Sequence, residues 1–356
     1  MLPSLSKLRS RLRRSGVHYR SCNFCGGLRF RVFKRLPDVR FPPQIYADQT
    51  LSDPSIGERL SLQYLECTAC GLIGINPLPP FADIDKTSFD GERNIVAWVD
   101  VDWNEYESGK RDVIRIVDRQ YRFDDYRRTN RVLDVSCGPG VSLAWLRDAK
   151  GWEVEGTDPD RHSVRLARER YGLTIHNGLI HQLGAAAGRY DLVLMDNSLE
   201  HTFDPTSALL EAYALLRPGG ALFVFVPNSC GLSTLHLNDN VHWGHWFLYS
   251  PPALVRLLHR IGFRVDRLIA IQNPVNPRLA EAGVDADAQL ADLQVDLSGA
   301  DTVREQVGSR RMVADYFNLL AVKPDGAAEH SPDERALAAL AAASRVERRT
   351  VEIVAT

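Results

Sequence analysis

The sequence predicts an α/β protein built on a doubly wound, mostly parallel sheet of seven strands, with a small metal-binding module ahead of it. Three observations carry that expectation. From Arg131 onward, short apolar runs alternate with amphipathic or Ala/Leu-rich stretches. The run Arg131-Val132-Leu133-Asp134-Val135 leads through Ser136-Cys137-Gly138-Pro139-Gly140 into the helix-compatible VSLAWLRDA. Near the start of the chain stand two CxxC pairs, each followed at once by glycine.

The expected strands are RVLDV, WEVEGTD, LTIHN, YDLVLMD, ALFVFVP, FRVDRLIAI and the run around YFNLLAVKP. The inner ones are continuous apolar runs, as a sheet covered by helices on both faces requires. Helices fall between them, in RHSVRLARERYG and PTSALLEAYALLRPGG. The sequence therefore divides into a basic arm (1–20), a cysteine module with a Pro-rich connector (21–97), the main α/β domain (98–325) and an Ala-rich helical tail (326–356). Within the main domain, residues from about 98 to 128 read as a charged helix packed on its edge.

Strand, tight glycine turn and helix is how such a sheet brings backbone against a nucleotide-like ligand, although glycines there also serve ordinary packing. A net charge of −2 does not suggest a dedicated nucleic-acid binder. No apolar run approaches the ~20 residues that span a bilayer. The first residues carry Lys7, Arg9, Arg11, Arg13, Arg14 and Arg20 without an acid or an apolar core. Export is not expected of such a segment, which reads as a solvated arm, and the cytoplasm is the expected compartment.

Cys22-Asn23-Phe24-Cys25-Gly26 and Cys67-Thr68-Ala69-Cys70-Gly71 present four thiolates at a spacing that suits a structural zinc ion. A disulfide or redox pair is the competing reading, less suited to a cytosolic chain with a duplicated knuckle. Four protein ligands leave no open position, so such a metal holds the fold and does no chemistry. Cys137 and Cys230 read as small core residues.

With these residues in view, the chain resembles an S-adenosylmethionine-dependent methyltransferase of the Rossmann-like type over about 130–325. VLDVSCGPG is similar to that family's first motif, with Ser136 where glycine is usual. WEVEGTDPD matches the second, and YDLVLMDNSLEHTFDP and LLRPGGALFVFVPN match the fourth- and fifth-strand motifs. The resemblance implies that Asp134, Ser136, Gly138 and Gly140 cradle the methionine part of the cofactor. It further implies that Asp158 accepts the ribose hydroxyls, that Asn177 and Gly178 flank the adenine, and that Asn197 and Ser198 line the other side. A dinucleotide dehydrogenase is the obvious rival, but the turn is not G-x-G-x-x-G, and the PGG-strand-PN element favours the methyltransferase.

The cysteine knuckles ahead of this domain resemble those of sugar C-methyltransferases and their relatives, which carry a Tyr-His-x-His-x-x-Tyr-Phe-Ser-like segment after the fifth strand. Here His242-Trp243-Gly244-His245-Trp246-Phe247-Leu248-Tyr249-Ser250 stands in its place. Methyl transfer to a hydroxyl, or to a carbon beside a carbonyl, needs a base of near-neutral pKa, and histidine is the natural choice. His245 and His201 are the candidates, with His242 in support. No carboxylate cluster accompanies His242 and His245 in sequence, which argues against a cation there.

The expected acceptor is a small metabolite: a sugar nucleotide, a glycan precursor or a polyketide-like compound. Two alternatives stay open. An RNA methyltransferase can also carry a zinc module, and a methyltransferase-like fold can serve binding without catalysis.

Overall fold

The computed structural model describes residues 19–39, 60–77, 102–241, 245–272, 275–290, 296–307, 312–325, 338 and 351–354. In chain order, the module contributes β1 (Arg29–Val39), β2 (Leu60–Cys67) and β3 (Ile73–Ile75). Helix α1 (Trp103–Tyr121) precedes the alternating part: β4 (Arg131–Val135), α2 (Val141–Lys150), β5 (Glu153–Asp158), α3 (Arg161–Tyr171), β6 (Ile175–Asn177), β7 (Tyr190–Asp196), α4 (Pro205–Leu215) and β8 (Leu216–Pro227). Then come β9 (Phe247–Leu248), α5 (Pro251–Ile261), β10 (Arg264–Ile271), β11 (Asp296–Ser298), β12 (Tyr316–Val322) and β13 (Glu352–Val354).

All seven expected strands form, and Asp296–Ser298 adds an eighth at the edge, giving the order β11-β10-β12-β8-β7-β4-β5-β6. Strands β8, β7, β4, β5 and β6 run parallel, while β12, β10 and β11 pair antiparallel. Successive residues alternate between two cores, as the pleat demands. Leu133, Val193 and Leu222 face one side; Val132, Leu192, Leu194 and Phe223 face the other, where Tyr121 and Phe123 cover them. Asp191, at the start of β7, fastens the approach to β4. Its Oδ2 accepts the backbone N–H groups of Arg128, Thr129 and Asn130, and Arg217 donates to its Oδ1. Burial opposes ionisation of this carboxyl, but those donors prevail and hold it below the usual carboxylate range.

Several expectations are corrected. The connector contains β3, so the module's sheet continues past the second knuckle. Glu352–Val354 are strand and not helix: they pair parallel with β1, the register coming from Arg29–Arg31. The remainder of the tail, apart from residues 338 and 351, lies outside the described residues, as do Met1–His18 of the arm. Arg20 is buried rather than solvated. Cys230 is exposed, not core, whereas Cys137 is half-buried.

The module is not a separate bead. Its sheet has the order β13-β1-β2-β3-β9, and β9 belongs to the α/β part of the chain. Phe24, Phe30 and Leu65 share one apolar cluster with Phe247, Tyr249, Leu254 and Val193. Gly74, on β3, faces the Phe247 ring so closely that a Cβ there would lie 2.9 Å from its Cδ1. Gly74→Ala is therefore expected to destabilise the fold by about 1–3 kcal/mol through overpacking. Urea denaturation measures this, and an unchanged midpoint would remove the close-packed β3–β9 seam from the account.

Candidate active site

Strands β4 and β7 are neighbours, yet the chain leaves β4 toward β5 and leaves β7 toward β8, on opposite sides. At such a switch point the loops at the carboxyl ends diverge and open a crevice. The loops beginning at Ser136 and Asn197 stand at those carboxyl ends.

The first loop is held by backbone geometry. Ser136, Gly138 and Gly140 all have left-handed φ angles of 57°, 56° and 77°. A Cβ on Gly140 would meet Leu173 Cδ1 at 2.7 Å. The glycines suit that geometry; Ser136 bears the strain of an L residue there. Asp158, ending β5, accepts the Gly138 N–H at 2.8 Å through Oδ2 and the Asp160 N–H at 2.8 Å through Oδ1. Burial pushes its carboxyl up to about 6 against the pull of those two N–H groups.

Asp134 is fully enclosed and its Oδ1 has no hydrogen-bond partner among the described residues. Burial drives its pKa well above the ordinary value, the Asp196 charge adds to the shift, and Lys110 opposes it. Lys110 binds Asp196 at 3.2 Å. A Cβ on Gly138 would stand 3.9 Å from the Tyr106 hydroxyl, which also senses Asp134, Asp158 and Asp196. Tyr106 and Lys110 were not singled out from the sequence. Their spacing of four on α1 was the available signal, since it puts both on one helix face.

On the far side, Asn197 is left-handed at φ 49° and donates through Nδ2 to Asp196 Oδ1 at 2.8 Å. Ser198 is buried, and its Oγ lacks a partner among the described residues. Asn177, paired with Asp158 at the carboxyl edge of the sheet, donates through its amide to the carbonyls of Asp158 and Pro159, both at 3.0 Å, and so braces the β5 loop. A Cβ on Gly178 would press Gln182 Oε1 at 2.6 Å, so this glycine serves a close local contact.

His201 and His245 lie 44 residues apart in sequence, and the fold brings their rings to 4.7 Å between centroids, edge to face. Glu200, also missed as a site residue, lies with them, and the three groups place their donor atoms within 4.8 Å of one another. This supplies the carboxylate that sequence spacing did not show, and the set can hold a proton or a cation. Glu200 is buried, its Oε2 has no partner among the described residues, and burial raises its pKa to about 8, with Asp196 adding to the shift. His201 is half-exposed. His245 is buried, with Nδ1 3.0 Å from the Asn240 carbonyl. A carbonyl only accepts, so Nδ1 carries the hydrogen and Nε2 is the basic nitrogen of the neutral ring. His242 and Trp243 lie outside the described residues. Trp246 and Phe247 are packed rather than open: Trp246 stacks edge-on against Phe203 at 5.4 Å, and Phe247 is core.

The cysteines converge. Cys22 and Cys70 sulfurs are 3.5 Å apart, as are those of Cys25 and Cys67, and all four lie within 4.8 Å of one another. Gly26 and Gly71 are left-handed, which lets each knuckle close with a glycine N–H donating to the first cysteine's carbonyl, at 2.8 and 2.9 Å.

Residues 106–268 match a family described as a methyltransferase domain. The chain is also similar to a probable S-adenosylmethionine-dependent methyltransferase from Mycolicibacterium smegmatis, 27% identical over 171 residues, covering 48% of this chain and 65% of that protein. A ubiquinone biosynthesis O-methyltransferase from Cereibacter sphaeroides is 31% identical over 162 residues, covering 41% of this chain and 65% of that protein. An uncharacterized 37.1 kDa protein in transposon TN4556 of Streptomyces fradiae is 36% identical over 110 residues, covering 29% of this chain and 32% of that protein. A methyltransferase structure from Archaeoglobus fulgidus superposes with a TM-score of 0.44 at 19% identity, covering 60% of this chain and 94% of that one. The chain thus spans less than two thirds of the length of these three sequence relatives.

Ser136→Gly is expected to stabilise the domain by about 0.5–1 kcal/mol, since glycine adopts the left-handed conformation without the side-chain penalty. Chemical denaturation reads the change, and a loss of stability would show that the Ser136 side chain makes a needed contact.

Proposed function

We propose that the chain transfers a methyl group from S-adenosylmethionine to a hydroxyl or carbon acid of a small metabolite, with His245 as the base. The juxtaposition of Glu200, His201 and His245 beside the cofactor crevice carries this reading. The residues present fit the cofactor. Asp134, Asp158 and Glu200 are buried carboxyls whose ionised forms lack a full complement of cations, and the orphaned Asp134 Oδ1 and Ser198 Oγ await polar partners. Bound S-adenosylmethionine would supply an activated methyl on a sulfonium centre, together with an ammonium group and ribose hydroxyls. Asp134 and the Ser136–Gly140 backbone would hold the methionine end, and Asp158 would accept from the ribose. Asn197 and Ser198 would close the opposite wall.

His245 would take the acceptor's proton on Nε2 while the Asn240 carbonyl stabilises the ring hydrogen on Nδ1. In its ionised form Glu200 would stabilise the resulting imidazolium. A sugar nucleotide, glycan precursor or polyketide-like compound remains the proposed acceptor class. The buried histidine of the sugar-enzyme-like segment supports it, and the O-methyltransferase named above supports hydroxyl chemistry. The four clustered sulfurs suit a structural zinc ion, since four thiolates so close cannot all ionise without a cation among them.

Two outcomes are expected. Calorimetry should show S-adenosylmethionine binding that strengthens from pH 5 to pH 7 as Asp158 ionises. Its pKa is raised from 3.8 to about 6, so the same group favours the folded state at acid pH and loses that contribution as pH rises through 6. Absence of binding would remove the enzyme reading. Against a panel of keto-sugar nucleotides and catechols, His245→Gln should lower turnover by about 10²–10⁴-fold while cofactor affinity stays within about twofold. Retained turnover would reassign the base.

A further inference from the structure

Arg20 precedes the first knuckle by two residues, and only 5% of it is exposed. Asn76 clamps its backbone from both sides: Arg20 N–H donates to Asn76 Oδ1 at 3.1 Å, and Asn76 Nδ2 donates to the Arg20 carbonyl at 2.9 Å. The guanidinium lies over the Phe247 ring at 4.6 Å and the Phe203 ring at 5.4 Å. Its Nη1 donates to the Phe203 carbonyl at 3.5 Å, and its Nη2 is buried without a partner among the described residues. The charged or titratable groups that bear on it are Cys22, Asp204 and Tyr249.

A guanidinium is costly to bury and is retained where its planar shape and charge do something a hydrocarbon cannot. The two rings it grips are informative. Phe203 follows His201 by two residues, and Phe247 follows His245 by two. Trp246 closes edge-on against Phe203 at 5.4 Å, completing the contact between the two loops. One side chain at the junction of the arm and the cysteine module therefore touches both segments that carry the paired histidines.

The geometry points to Arg20 as a positioning residue that fixes the separation of His201 and His245, with the cysteine knuckles and Asn76 holding it in place. The module's part in the reaction is then placement: Arg20 contacts no reacting atom and adds a side-chain tie between two loops that the Trp246 N–H to Glu200 carbonyl bond also joins. A displacement of about 1 Å between acid–base groups is enough to lower a rate by roughly 10²-fold, so such a tie has catalytic weight. This inference rests on the proposed role of the histidines.

Nuclear magnetic resonance of the full chain tests it, through the inter-ring Overhauser effect between His201 and His245, assigned with His→Asn variants. Arg20→Met keeps the apolar stem and removes the charge and the guanidinium N–H donors. It is expected to cut that effect by about half or more, while calorimetric affinity for S-adenosylmethionine stays within about twofold. Arg20→Lys, which keeps a cation over the rings but loses the planar group, should restore part of it. An unchanged effect in a cofactor-binding Arg20→Met protein would overturn the inference. Should that variant lose cofactor binding through misfolding, Phe203→Leu removes one ring and leaves the guanidinium. Displacement of His201 is then expected, and an unmoved His201 overturns the inference. If His245→Gln retains turnover while the inter-ring effect still depends on Arg20, the base assignment fails and the positioning stands.

Discussion

The pairing of β3 with β9 is the constraint on which the site depends. Only two residues of β9 join the module's sheet, Leu248 opposite Ile73 and Phe247 opposite Gly74. They are reinforced at both ends. Ile75 N–H donates to the Trp246 carbonyl at 3.0 Å, and the Tyr64 hydroxyl donates to the His245 carbonyl. On the other side Trp246 N–H donates to the Glu200 carbonyl at 2.8 Å, and Ser229 N–H donates to the Tyr249 carbonyl at 2.8 Å. The segment from His245 to Tyr249 is therefore held between the cysteine module and the loops after β7 and β8. Its conformation cannot be set by the α/β domain alone.

Electrostatics gives that arrangement a use. Asp134, Asp158 and Glu200 are each driven toward the neutral form by burial, and Asp196 works against Asp134 and Glu200 in particular. Lys110 is the cation among them, bound to Asp196. A crevice with surplus buried carboxyls favours a ligand bearing positive charge, and ligand binding and ionisation of these acids then assist each other. S-adenosylmethionine, with its sulfonium and ammonium groups, has that character. The acid-rich lining and the left-handed loop thus support the same proposed cofactor by independent routes.

Much of this architecture is legible in the sequence because it is local. The seven apolar runs became seven strands, and the knuckle glycines and Gly138 and Gly140, which the sequence places in turns, take left-handed conformations. Ser136 was visible as an irregularity, and its φ of 57° explains why glycine is the usual occupant there. What escaped was long-range. Strands β9 and β13 are two and three residues long, too short to show any period, and exist only because β3 and β1 offer them edges. Arg20 looks like one more arginine of a basic arm until the fold closes Phe203 and Phe247 over it. Glu200 reads as a neighbour of His201, and only the placement of His245 from a distant segment makes it a third member of a cluster.

The most direct measurement is amide hydrogen exchange of the full chain, with the metal content established first by elemental analysis and the metal then removed by a chelator. About one zinc ion per chain is expected. Its removal should deprotect Ile75, Trp246 and the 200–204 loop by at least about tenfold while the amides of β4, β5 and β7 keep their protection. Uniform deprotection of the whole chain, or none at residues 200–204 and 246, would contradict the claim that the cysteine module sets the geometry of the histidine site.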